Sequence, residues 1–193
     1  MKRMMLLLLT LALTTGCAAR REDTRAADLQ RKYAGMAGCE ARVAVSAAED
    51  GEVRRYTLDL VRDGTETRVT AVEPEELAGV CVVVAEDRRA IVCGDLLLDA
   101  GSVGDGLSAA NAADVVLYAA AEGWITEQND ERFGDTDALR LCFETEQGGE
   151  PLSVAAWFDA SDAPLYAEIE RGGKILLYLE FTEFVFRDIV GKD

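Results

Sequence analysis

Histidine is absent from all 193 residues. That removes the commonest general base, the usual zinc ligand and every Ser-His or Cys-His dyad. Beyond Lys2, the lysines are Lys32, Lys174 and Lys192, none in S-x-x-K spacing with Ser46, Ser102, Ser108, Ser153 or Ser161. Glu73, Glu75 and Glu76 crowd around Pro74, and Asp159 and Asp162 flank a turn. Such carboxylates could do acid–base work or bind calcium. The D-x-[DN]-x-[DN]-G pattern is missing, however, and a solvated acidic face explains them better. Gly101, Gly104 and Gly106 make a G-x-x-G-x-G run, the reverse of the dinucleotide fingerprint, and read as a connector. The residues therefore supply no catalytic set, no cofactor motif and no metal site, and the chain reads as non-enzymatic.

The five cysteines carry what chemistry remains. Cys17 follows a positive Met1-Lys2-Arg3 and a ten-residue apolar run, too short to span a bilayer at the ~20 residues required. Leu13-Thr14-Thr15-Gly16-Cys17 resembles a bacterial lipobox, in which the thiol is lipidated and becomes the new N-terminus. Thr14 stands where that pattern carries Leu, Val or Ile. Residues 1–16 thus read as a lipoprotein signal peptide and Cys17 as the lipidation site; cleavage near Gly16 or Ala19, giving a secreted or periplasmic protein, is the alternative. Two acyl chains would hold the domain outside the cytoplasmic membrane. Cys39, Cys81, Cys93 and Cys142 remain, open to three disulfide connectivities. If the turn after residue 85 centres on Asp87, Cys81 and Cys93 face each other as a candidate disulfide. A one-residue change of register separates them, leaving small buried thiols.

Charge narrows the partners. The chain has 36 acidic and 20 basic residues, and losing Lys2 and Arg3 leaves 36 against 18, a net of −18. Polyphosphate binding needs clustered Lys and Arg, so nucleic acid is excluded. An anionic membrane repels the domain itself, which leaves the N-terminal lipid as the membrane contact.

The elements that must position these residues are strands. A helix is predicted over 19–36 from Leu29, Tyr33 and Met36, followed by alternating segments separated by Glu49-Asp50-Gly51 and Asp63-Gly64 turns. Ser108 caps a second helix over 109–122. Three further strands and a last hairpin over Gly172-Gly173 complete about eleven strands in one antiparallel meander. Apolar residues occupy odd positions from Ile175 to Phe181, then even positions at Phe184 and Phe186, which predicts a bulge or bend near Glu183. Strands over 80–84, 152–158 and 175–181 are apolar at successive positions, as expected of a sheet covered on one side and lining a cleft on the other, or of a two-sided core.

In order along the chain, Tyr33-x-x-Met36-x-Gly38-Cys39-x-Ala41-x-Val43-x-Val45, then Val72-Glu73-Pro74-Glu75-Glu76-Leu77-Ala78-Gly79-Val80, then Asp159…Pro164-Leu165-Tyr166-Ala167-Glu168-Ile169 and Gly173-Lys174…Phe181-Thr182-Glu183-Phe184 resemble the LolA/LolB superfamily of lipoprotein carriers. The likeness is strongest to its Gram-positive branch, which includes sporulation and germination lipoproteins. The resemblance implies an α+β fold over 17–193: a curved, incomplete antiparallel β-barrel covered by an N-terminal helix and a mid-chain helix. It implies an apolar concave side that receives acyl chains, with Val43, Val45, Leu58, Leu60, Val82, Val84, Phe143, Phe158, Ile169, Leu177, Leu179 and Phe181 as cavity or core candidates. The partners it implies are a lipid or the acyl chains of a lipoprotein; the alternative is a scaffold for a cell-envelope or spore-wall enzyme. Replacement Cys17→Ala is expected to move the protein from the membrane to the soluble fraction, as cell fractionation would show. Retention of that variant on membranes would contradict the lipobox reading.

Overall fold

The computed structural model describes residues 16–49, 52–85, 88–102 and 106–187. The signal segment, the Glu49-Asp50-Gly51 turn and the centre of the Gly101–Gly106 connector lie at least partly outside those residues, as does the side chain of Cys17. Helix α1 spans Gly16–Ala34, and β1 (Gly38–Glu49), β2 (Glu52–Asp63) and β3 (Glu66–Glu73) follow. A single 3-10 turn, Glu75–Leu77, precedes β4 (Cys81–Ala85), β5 (Arg88–Cys93) and β6 (Leu96–Ser102). After helix α2 (Ala109–Glu122) come β7 (Trp124–Phe133), β8 (Thr136–Gln147), β9 (Glu150–Phe158), β10 (Pro164–Arg171) and β11 (Lys174–Arg187).

All eleven strands form one antiparallel sheet in the order β6-β5-β4-β3-β2-β1-β11-β10-β9-β8-β7. The sheet is open, with β6 and β7 as its edges. Each half is a meander of hairpins, α2 carries the chain from one edge to the other, and the first and last strands meet in the middle. Arg42 pairs with Glu183 and Val43 with Phe181, so Thr182 is the extra residue of a bulge on β11. That insertion swaps faces. It turns Phe184 and Phe186 toward Tyr33, at centroid separations of 6.4 and 5.5 Å.

Helix α1 buries Ala26, Leu29 and Tyr33, one stripe at helical spacing. The Tyr33 hydroxyl donates to the Asp162 carbonyl at 2.8 Å, and Lys32 Nζ donates to Ser161 O at 2.6 Å, tying the end of α1 to the β9–β10 turn. Helix α2 is different. Ala112, Ala113, Val115, Val116, Leu117, Ala119 and Ala120 are all buried, because it lies between α1 and the concave sheet. Small residues permit that approach. A Cβ at Gly123, where α2 ends, would meet Ala119 O at 2.5 Å and Phe143 Cβ at 3.0 Å.

Ten of the twelve cavity or core candidates, all but Val82 and Val84, are buried beneath these helices in one core. The outer face explains the apolar pattern of β9: Trp157 packs there with Phe133 and Tyr166 at centroid separations of 6.1 and 5.3 Å. Its indole N–H donates to Glu131, and Arg140 lies 5.3 Å over its ring.

The candidate Cys81–Cys93 disulfide is not formed. Ala85 pairs with Arg88, so two residues rather than three connect β4 to β5, and Cys81 stands opposite Val92. The one-residue shift puts the two sulfurs on opposite faces, and all four described cysteines are free thiols. Phe158 is fully buried and meets the Tyr33 ring edge-on at 5.6 Å. Replacement Phe158→Ala is expected to cost about 3–5 kcal/mol in urea unfolding. A loss below about 1 kcal/mol would place this ring outside the cooperative core.

Candidate functional site

The helices do not cover the whole concave face. Helix α2 packs on β1–β3 and on β8–β11, and β4, β5 and β6 extend beyond it as a wing. Register decides which side chains face inward there. Thr67 and Val69 are buried; Val84 pairs with Thr67 and Val82 with Val69. Arg89 pairs with Val84, Ile91 with Val82, and Leu98 with Ile91. Directly paired residues share a face, so Val69, Val82, Ile91 and Leu98 form one apolar row across the wing.

Where the wing meets α2 there is a cleft of about 220 Å³, lined by Thr67, Val69, Val84, Arg89, Ala110, Asn111, Asp114, Val115, Tyr118 and the Glu146-Gln147-Gly148 end of β8. Asn111 fixes the start of α2: its Oδ1 accepts from Ser108 N at 2.8 Å and its Nδ2 donates to Gly106 O at 2.9 Å. Asp114 faces Arg62 Nη1 at 3.5 Å and accepts from Thr67 Oγ1 at 3.4 Å. Arg89 lies opposite these, its Nε buried without a hydrogen-bond partner.

Of the residues singled out from sequence, Val84 lines this cleft and Val82 lies beside it on the wing. Val43, Val45, Leu58, Leu60, Phe143, Phe158, Ile169, Leu177, Leu179 and Phe181 form the packed core instead. Arg89, Asn111, Asp114 and Tyr118 were not singled out. The available signal was a lone cation at an inward position of an otherwise apolar hairpin. The acidic candidates have structural partners. Asp159 Oδ1 accepts from Ser161 N at 2.7 Å and Ala163 N at 3.0 Å, shaping the β9–β10 turn. Asp162 is at positive φ, 66°, and pairs with Lys32 at 3.0 Å. Among the described residues no group of three His, Cys, Asp or Glu could hold a metal ion, and no helix is long and apolar enough to cross a membrane.

No family model matches the chain, nor does any curated protein. Solved structures do. An uncharacterized conserved protein from Thermus thermophilus superposes with TM-score 0.52 at 14% identity, over 86% of this chain and 88% of the other. A LolA superfamily protein from Nitrosomonas europaea gives 0.48 at 13%, over 87% and 94%. LprF from Mycobacterium bovis gives 0.48 at 9%, over 89% and 98%. What is shared with the Thermus protein is the fold.

Burial pushes the Cys39 thiol up to about 11, and burial first, then the Glu127 hydrogen bond, does the same for Cys142. A raised thiol stays neutral, so its contribution to stability is complete below the ordinary value of 9.0 and is lost as pH rises through about 11. At pH 8, iodoacetamide is therefore expected to label exposed Cys93 and spare Cys39 until the chain unfolds. Peptide mass mapping reads both. Rapid native labelling of Cys39 would contradict its burial.

Proposed function

We propose that the chain is a non-enzymatic, extracytoplasmic lipoprotein of LolA/LolB type that binds the acyl chain of a lipid or lipidated protein on its concave wing. One observation carries this reading: from Val69, buried at the cleft, the row continues through Val82, Ile91 and Leu98 on β4–β6, where neither described helix packs. An apolar concave surface of this kind, bordered by a few polar groups, is the usual form of a ligand site. The size of the cleft sets how a ligand would lie. At about 220 Å³ it is smaller than the roughly 300–1,000 Å³ of whole-ligand pockets. It takes one end of an acyl ligand, and the remainder lies along the wing. The sequence motifs shared with the carrier superfamily agree with this, and Cys17 supplies the anchor.

A second reading has its own support. Edge strand β6 exposes three successive leucines, Leu96 at 55%, Leu97 at 68% and Leu98 at 50%. Natural proteins usually protect such an edge with charge, and a scaffold that holds a cell-envelope or spore-wall enzyme, as germination lipoproteins do, would use one.

Native mass spectrometry of the mature chain incubated with methyl palmitate separates the two. An acyl-binding protein retains the ester, and the double replacement of Val82 and Val84 by Asp weakens retention about tenfold or more, since burial of each valine contributes roughly 1.5–3 kcal/mol. A folded chain that ignores the ester but captures an envelope protein through β6 would favour the scaffold.

A further inference from the structure

We infer that Arg89 is an anion-recognition point, so that the ligand of the concave wing is an amphiphile with one negatively charged end, a carboxylate or phosphate. This rests on the acyl-binding reading above and specifies its ligand. The chain has 36 acidic residues for 20 basic ones, so few arginines go without a carboxylate; Arg55, likewise without an ion pair among the described residues, is exposed to solvent, whereas Arg89 faces the cleft. Arg25, Arg42, Arg62, Arg68, Arg88 and Arg140 all have one. Arg171 also has buried guanidinium nitrogens without partners, but Glu150 meets its charge at 2.6 Å. Arg89 has a buried, unpartnered Nε and makes no ion pair among the described residues.

The two carboxylates that line the cleft do not meet that charge. Asp114 lines the same cleft but is turned to Arg62 and Thr67. Glu146, also on the lining, makes no ion pair with Arg89. A buried guanidinium nitrogen without a partner, in a cleft that Val69, Val84 and Val115 also line, is costly. Two oxygens of a carboxylate or phosphate would satisfy its planar fork. Charge then decides between a free anion and an amphiphile. The excess of acidic groups repels a small anion, so the apolar chain on the wing has to supply the attraction and Arg89 sets which end enters.

The test uses the mature full-length chain with palmitate, 1-palmitoyl lysophosphatidic acid and methyl palmitate, each below its micelle concentration. The two anions separate a carboxylate from a phosphate source. At least one is expected to bind about tenfold or more tightly than the ester. Replacement Arg89→Met should bring the anions and the ester to equal affinity, with an unchanged urea unfolding midpoint showing that the variant is folded; Arg89→Lys should retain part of the preference. Inorganic phosphate alone should not compete. Equal binding of acids and ester, a preference that survives Arg89→Met, or displacement by inorganic phosphate alone would each overturn the inference. Failure of the unaltered chain to bind methyl palmitate overturns the acyl-binding reading instead.

Discussion

At about 4.8 Å between neighbouring strands, a sheet of eleven measures roughly 50 Å along its arc. Helix α2, with 14 residues, is about 21 Å long and about 10 Å wide. Two helices cannot cover such a surface, and the rest of the molecule follows from that mismatch. Where α2 and α1 are stacked the concave face is a filled core, with Phe143, Phe158, Leu139 and Leu141 fully enclosed. Where they stop, the inward face of β4–β6 stays open although its residues are the same types. Core and site are one continuous apolar surface, divided by how far α2 reaches.

The convex face meets the opposite requirement, because it faces water throughout. It is laced with cross-strand pairs such as Arg42–Asp59, at 2.7 and 2.9 Å, and Arg140–Glu127 at 3.2 Å. The Arg42 hydrogen bond holds the Asp59 carboxyl below its ordinary value. Exposed pairs of this kind contribute at most about 1 kcal/mol each; their larger effect is on register, since like charges directly opposite are unfavourable. The two sheet edges differ sharply. Strand β7 carries Glu127, Asp130, Glu131 and Arg132 along its length, whereas β6 opens with three leucines.

The strands and helices were legible in the sequence because their periods are local. The 109–122 helix lies where Ser108 and its alanines put it, and the change of apolar parity along β11 located the bulge to within one residue, at Thr182. Register between strands was harder to read. Whether two or three residues connect β4 to β5 decides whether Cys81 faces Cys93 or Val92, and composition does not distinguish the two. The site was hidden for a related reason. Val43 and Val82 are both inward-facing valines, and only the reach of α2, a tertiary property, makes one core and the other wing. Arg89 joined the cleft through two successive pairings, Thr67 to Val84 and Val84 to Arg89, which no single stretch of sequence contains.

The meeting of β1 and β11 at the centre of the sheet bears on how the chain reaches its native state. Partners across that seam, such as Gly38 and Arg187, are as much as 149 residues apart. The middle of the sheet therefore cannot zip until the last strand has been synthesised, whereas each meander can pair along its own hairpins. Closure of so long a loop carries an entropic cost before any contact offsets it, and such topologies fold slowly. Until then β1 and β11 are temporary edges, apolar on one face, and open to pairing with the wrong strand. A strong negative net charge on every copy opposes that encounter, which gives the acidic composition a role in the unfinished chain as well as in the folded one.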